Sequence, residues 1–371
     1  MRKLLVLFVA LCLGLAFAQD FVMGINFDAG GKFDGSFNEG TWNGFIRAIE
    51  ELSGELDIEV LEFEGTPETS AQGLRQMASA GAELIVAPGF AQADAIHQIA
   101  AEFPDTNFVN IDGFAENARA NELYVAFAEH EGSYLVGYIA GTLTQTGVVG
   151  FVGGMDIPLI RKFNLGFEEG VLAACPECTV ISNYVGVTPA AWNDPARGRE
   201  LAATQQAQRA DIIYAAAGAS GNGVIDFVTE TMCHTHGVLR ESPLTSIVAE
   251  LPKSDAYTAR CGDGTQPLFF IGVDSNQNFM GDTDGNPETL NHGLTSMLKR
   301  VDVAAYNAVF DTVNGTFEGG YITLDLTNEG VDYALDEYNT ALIPQDVIDA
   351  VEAIKAQIIA GEVVVTDYTQ Q

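Results

Sequence analysis

Residues 27–40 read FDAGGKFDGSFNEG, with four glycines, two aspartates, a lysine and a phenylalanine at an apparent helix start. Glycine-rich turns opening onto a helix present backbone N–H groups and the positive end of the helix dipole, which suits phosphate. Asp28 and Asp34 oppose that use, because a phosphorylated ligand would meet two carboxylates. Carboxylates instead accept hydrogen bonds from the ring N–H, amino or hydroxyl groups of an uncharged ligand. Ser36 and Glu39 have capping-box spacing, with Ser36 at the N-cap and Glu39 at the third helical position. The helix beyond has its own apolar stripe of Trp42, Phe45, Ile46, Ile49 and Leu52. Phe37 lies outside that stripe, in the first turn, and is expected to face a ligand cleft.

Similar residues recur along the chain at the ends of apolar runs. Asp28, Phe90 after Pro-Gly and Asp112 in IDG belong to a first set. Gly153-Gly154-Met155-Asp156, Trp192, GASGNG at 218–223 and Asp274 in GVDS belong to a second. Ligands of open parallel sheets bind beyond the carboxyl ends of the strands, so these residues are the candidate site. A single strand-ending Asp is often only a turn former. Three of them at matching positions favour a site.

The catalytic and metal patterns fit less well. Gly218-Ala-Ser220-Gly221-Asn222 departs from a nucleophile elbow at its fifth position. GGK at 30–32 and GASGNG lack the P-loop ending and the dinucleotide fingerprint. Cys233, His234, His236 and Cys261 have the chemistry for zinc, but a disulfide is the simpler use of two cysteines in an exported chain. Asp282-Thr-Asp284-Gly-Asn286 has the start of a calcium loop, with Pro287 where such loops need glycine. Neither an enzyme nor a cofactor or metal is expected.

These residues need elements to hold them. Strands are expected at 21–27, 57–63, 83–88 and 107–112, then at 148–153, 179–185, 211–217 and 268–274. Their continuous hydrophobicity marks strands buried on both faces of a parallel sheet. Helical stretches intervene, so the fold class expected is α/β, with two doubly wound parallel-sheet lobes around a hinged cleft. A helix within 128–147 leads from the first lobe into the second, and late elements at 293–298, 300–314 and 321–326 imply that the chain recrosses. The expected division is 19–128 plus about 292–318 for the first lobe, and 129–291 plus about 319–371 for the second. Residues 232–266 and 281–293 interrupt the pattern.

Composition places the chain outside the cytoplasm. Arg2 and Lys3, an apolar run from Leu4 to Leu15, and Ala16-Phe17-Ala18 form a signal peptide with cleavage expected near Ala18. Leu11 stands before Cys12 where a lipobox carries Gly, Ala or Ser, so no lipid anchor is expected. Without Arg2 and Lys3, 15 of the 17 basic residues remain against 51 acidic ones, a charge of −36. Such a surface repels nucleic acid and anionic membranes. Cys175, Cys178, Cys233 and Cys261 are the cysteines left beyond the signal segment; the pairs most easily formed are Cys175–Cys178 and Cys233–Cys261.

DGSFNEGTW, GGMDIPLIRKF, YVG with NDPARGRE, AAAGASGNGV, GVDSNQ and LTSMLKRVDVAAY together resemble the basic membrane protein family of ABC-transporter solute-binding proteins. The resemblance runs over nearly all of the chain after the signal segment. It implies a type I periplasmic-binding-protein fold that captures a purine nucleoside and delivers it to a membrane permease. It places Asp28, Phe37 and Asn38 at the base, Asp274 and Lys299 at the ribose, and Gly221 and Gly223 where the backbone approaches the sugar. Trp192 matches the second aromatic of the base sandwich, within a phrase, TPAAWNDPARG, that is longer than the family's. The partners so implied are a small-molecule ligand and an ABC permease, with a monomeric chain and no nucleic acid. Alternatives left open are a flavin or sugar as the ligand, and a receptor that reports to a membrane sensor.

Overall fold

The computed structural model describes residues 20–235 and 239–371. The signal segment and His236 lie outside the described residues. Among the described residues, fourteen strands, β1 to β14, and eleven α-helices, α1 to α11, build two lobes.

The first lobe contains β1 (Asp20–Phe27), β2 (Asp57–Glu64), β3 (Leu84–Pro88), β4 (Asn107–Ile111), β5 (Glu122–Phe127) and the late strand β13 (Gly320–Leu324). They form one parallel sheet in the order β13-β5-β4-β3-β1-β2. Its helices are α1 (Phe37–Leu52), α2 (Ser70–Ser79), α3 (Ala93–Ala100) and α10 (Val301–Asn314). The second lobe contains β6 (Val148–Met155), β7 (Thr179–Gly186), β8 (Ile212–Ala216), β11 (Phe269–Asp274), β12 (Gly293–Lys299) and β14 (Val331–Tyr333). Their order is β14-β12-β11-β8-β6-β7, parallel except for the edge strand β14. Helices α4 (Glu129–Leu143), α5 (Pro158–Ala174), α6 (Pro195–Ala207), α7 (Ala219–Thr231) and α11 (Gln345–Ile359) accompany that sheet.

All eight strands expected at regular intervals are present. The central strands LIVAP, IIYAA and FFIGVD are buried at every position, as strands covered on both faces must be. The edge strand β2, DIEVLEFE, alternates exposed and half-buried positions and carries acidic residues outward. Charge on an edge strand discourages pairing with another chain.

The expected division of the chain needs correction near its end. Strand β12 belongs to the second sheet and β13 to the first, the reverse of the lobes expected for them, whereas α10, β14 and α11 lie in the lobes expected. The chain therefore crosses between lobes after β5, after β12 and after β13. The crossings lie side by side: the Ala128 amide donates to Leu324 O at 2.8 Å, and the Arg300 amide to Gly330 O at 2.9 Å. Three adjacent crossings make a hinge with little freedom other than opening and closing.

The interruption at 232–266 forms a strand pair, β9 (Cys233–Thr235) and β10 (Thr265–Pro267), around α8 (Pro243–Glu250) and α9 (Asp255–Arg260). A Cys233–Cys261 disulfide closes it, and Cys175–Cys178 bridges the turn from α5 to β7. Both thiols of the zinc reading are thus consumed, and no cluster of His, Cys, Asp and Glu suited to a metal occurs among the described residues. Arg240 donates to Gly141 O at 2.8 Å and Ser242 Oγ to Leu143 O at 2.7 Å. These bonds satisfy carbonyls at the C-terminal end of α4, where a cation also interacts favourably with the negative end of the helix dipole.

Candidate functional site

The helix start at Phe37 is built differently from a capping box. Ser36 holds the N-cap position but makes no capping bond with its side chain. Asp34 does that work: its carboxylate accepts from the amides of Ser36 (2.9 Å), Asn38 (2.9 Å) and Glu39 (3.1 Å). The Glu39 carboxylate accepts from the Gly35 amide at 3.1 Å. A protein carboxylate therefore occupies the anion-binding end of α1. Lys32 points elsewhere, paired with Glu62 at 2.6 Å and lying over the Trp42 ring at 3.4 Å from its centroid. The phosphate-cradle look of this stretch has neither a vacant amide nest nor a free lysine behind it.

The Ser36 hydroxyl turns to the other lobe instead. It donates to Asp274 Oδ2 at 2.7 Å, and Ser275 Oγ donates to Ser36 O at 3.0 Å. Asn222 Nδ2 donates to Asp34 O and Gln277 Nε2 to Gly35 O, both at 3.0 Å. The 34–36 turn is thus held by the second lobe, which fixes a closed cleft.

Between the lobes lies a cavity with about 530 Å³ of empty space, the open solvent at its mouth included. From the first lobe it is lined by Asp28, Gly30, Asp34, Phe37, Asn38, Gly89, Phe90 and Asp112. The second lobe contributes Leu159, Ile160, Phe163, Trp192, Ala216, Gly218, Val273, Asp274 and Lys299. Among the residues expected from sequence, Asp28, Phe37, Asn38, Phe90, Asp112, Trp192, Asp274 and Lys299 come together here. Met155, Gly221 and Gly223 are not among the lining residues. A Cβ at Gly223 would fall 1.8 Å from Pro195 O, and one at Gly221 3.3 Å from Ala215 O. Both glycines serve the packing of α7 against its neighbours. Gly154, beside Met155, instead lets Trp192 lie flat, since a Cβ there would sit 2.3 Å from the indole.

The polar groups are arranged in two clusters. At one end, Asn38 Nδ2 donates to Asp28 Oδ1 (2.7 Å) and to Asp34 Oδ2 (3.0 Å), while its Oδ1 accepts from the Asp28 amide (3.1 Å). Asn38 is thereby fixed in orientation, and Asp28 Oδ1 also accepts from the Gly30 amide. At the other end, Lys299 is 2% exposed and pairs with Asp112 at 2.6 Å and Glu129 at 3.0 Å. Lys162 pairs with Glu129 at 2.5 Å and donates to Phe127 O at 2.6 Å. Lys299 also lies 5.2 Å from the Phe37 ring centroid and 5.5 Å from that of Phe163. Burial alone would pull its pKa down, but Asp112, Glu129 and Asp274 hold it above the usual lysine value. Burial likewise opposes the Glu129 charge, and the two lysines outweigh it, holding that carboxyl below its usual range.

Burial pushes Asp28 up to about 6 and Asp274 to about 7, although Asn38, Lys299 and Ser36 pull the other way. Asp112 and Asp274 also have matching left-handed backbones, with φ of 68° and 62°, at the ends of β4 and β11. Asp tolerates that conformation better than most residues, and such strain clusters where side chains are aimed at a ligand. Four carboxylates, those of Asp28, Asp34, Asp112 and Asp274, thus line the cavity with Lys299, while Glu129 ties Lys299 to Lys162 without itself being a lining residue.

Glu129, Lys162 and Phe163 escaped the sequence reading. Glu129 and Lys162 are a buried ion pair on different helices, a relation that spacing along the chain does not encode. RKF within GGMDIPLIRKF was the available signal: a lysine beside Phe163 and Ile160 on an otherwise apolar helix face.

The family of PnrA-like ABC transporter substrate-binding proteins, Bmp, matches residues 21–242. The CD4+ T-cell-stimulating antigen of Listeria innocua is 28% identical over 94% of this chain and 89% of its own length. The ABC transporter nucleoside-binding protein BmpA of Lactococcus lactis is 28% identical over 91% of this chain and 87% of its own. Among solved structures, an ABC transporter solute-binding protein from Aeropyrum pernix K1 superposes with a TM-score of 0.73 at 24% identity, covering 93% of this chain and 94% of the other. That likeness bears on the fold, which is the type I periplasmic-binding arrangement expected from the sequence. The family match covers most of the chain and both lobes follow its architecture, so this protein belongs to the Bmp family of ABC transporter substrate-binding proteins.

Proposed function

We propose that the chain is exported by the segment ending near Ala18, captures a purine nucleoside between its lobes and hands it to an ABC permease. The observation that carries this reading is the cleft itself: aromatic rings from opposite lobes, Phe37 and Trp192, line a cavity ringed by carboxylates. Base–aromatic stacking contributes ~1–3 kcal/mol per base and tolerates any base. Asp28 accepts from N–H groups on the base edge, and Asn38 holds it in place. Asp112, Asp274 and Lys299 bond the ribose hydroxyls at the opposite end. A nucleoside monophosphate gains nothing, because Asp34 already fills the helix N-terminus and the acidic cluster repels a second anion. The nucleoside-binding relative from Lactococcus lactis supports the same ligand class. Capture and release of the ligand by this chain make and break no covalent bond.

The test is a thermal-shift panel of guanosine, inosine, adenosine, riboflavin and ribose. Stabilisation by at least one purine nucleoside, accompanied by a change in Trp192 fluorescence, is expected. Stabilisation by riboflavin or ribose alone would contradict the reading. Uptake of the same nucleoside by membrane vesicles containing its permease, dependent on added protein, separates transport from sensing.

A further inference from the structure

A second cavity, with about 410 Å³ of empty space, shares Asp28, Phe90 and Trp192 with the first. Phe37, Lys299 and Asp274 do not line it. Its own walls come from both lobes and include Ala29, Pro67 and Ala91 on one side and Pro189 on the other. The polar residues at its floor are engaged among themselves. Gln92 Oε1 accepts from Asn26 Nδ2 (2.6 Å) and Ser70 Oγ (2.8 Å), while Gln92 Nε2 donates to Asn26 O and Pro88 O. At the rim, Thr69 Oγ1 accepts from the Thr66 amide at 2.8 Å. The surface left for a guest is therefore mainly carbon, with the Asp28 carboxylate at the junction between the cavities.

We propose that this second cavity is a subsite for apolar substituents carried by the base, so that the protein accepts purine nucleosides bearing an aryl or alkyl group on the exocyclic nitrogen. The inference rests on the nucleoside reading of the main cavity. With the ribose at Lys299 and Asp274, the base edge farthest from the sugar meets Asp28. A group attached to the nitrogen on that edge passes between Phe90 and Trp192 into the second cavity. The nitrogen keeps one hydrogen to donate to Asp28. Burial of the substituent against Pro67, Ala91 and Pro189 supplies the gain, since affinity follows apolar surface removed from water.

The experiment is calorimetric titration of the full-length secreted protein with two pairs: adenosine with N6-benzyladenosine, and guanosine with N2-benzylguanosine. In a pair whose parent binds, the benzyl compound is expected to bind within threefold of the parent or more tightly. Thr66→Trp and Ala91→Trp, which fill the second cavity from outside the first, are expected to weaken the benzyl compound at least tenfold while leaving the parent within twofold. A benzyl compound at least tenfold weaker than its bound parent would overturn the subsite and leave the nucleoside reading standing. So would benzyl binding indifferent to both tryptophan variants. Failure of both parents and both derivatives to bind would overturn the nucleoside reading and the subsite together.

Discussion

At the scale of single residues, the site is a set of buried acids whose charge depends on what they touch. Asp28 has one well-bonded oxygen, held by Asn38 and the Gly30 amide, and burial raises its pKa to about 6. A nucleoside N–H needs the ionised form. Affinity should therefore fall as pH drops from 7.5 to 5, first as Asp274 gains a proton near 7 and then as Asp28 does. Hydrogen bonds to a charged group contribute about 1.5–3 kcal/mol, so Asp28→Asn should weaken nucleoside binding roughly 10- to 100-fold. It should also remove the lower of the two pH steps in a titration series; a variant that kept both would place the base elsewhere. The residues facing the cleft were largely legible because strand-end aspartates and aromatics interrupt apolar runs. Their partners were less so: Lys299 pairs with Asp112 and Glu129, residues more than 150 positions away.

At the scale of elements, the turn before α1 carries both the helix cap and the latch between lobes. Ser36 and Glu39 have the right spacing for a capping box, yet the Ser36 hydroxyl is taken by Asp274 across the cleft and Asp34 caps in its place. Local spacing cannot anticipate a partner 238 residues on. Asp34→Ala removes an acceptor for three backbone amides and should lower stability by about 2 kcal/mol in urea unfolding. An unchanged midpoint would show that the helix start has other support. Strands β5 and β14 also escaped the sequence reading, for different reasons. A loop rather than a helix joins β4 to β5, which breaks the alternation that identified the others, and β14 is only three residues long. None of the described residues of the interruption at 232–266 lines either cavity. Its Cys233–Cys261 bridge closes a loop with a sequence separation of 28. Replacing both cysteines by alanine should cost about 3 kcal/mol of stability while leaving nucleoside affinity within twofold. A large loss of affinity in that variant would connect the insertion to the cleft.

At the scale of the whole molecule, three adjacent crossings and a cross-lobe turn set up a closed cleft lined by acids. Closing buries acids, and that has a thermodynamic signature. Asp274 titrates at about 7 in the folded chain against 3.8 for the free group, so the native state holds the proton more tightly. Its contribution to stability is complete below pH 3.8 and is lost as pH rises through about 7. Between pH 6.5 and 8 the unliganded protein should lose about 1 kcal/mol that Asp274→Asn does not lose, read as the difference between their urea unfolding curves. Parallel curves would mean that Asp274 is ionised throughout. The same crowd of carboxylates predicts which ligands enter, and the most direct measurement is calorimetry at pH 7.5 with guanosine, inosine and adenosine, each beside its 5′-monophosphate. Micromolar or tighter binding of at least one nucleoside, with its monophosphate weaker by at least 100-fold, is the predicted result; a monophosphate that binds as tightly as its nucleoside would contradict it.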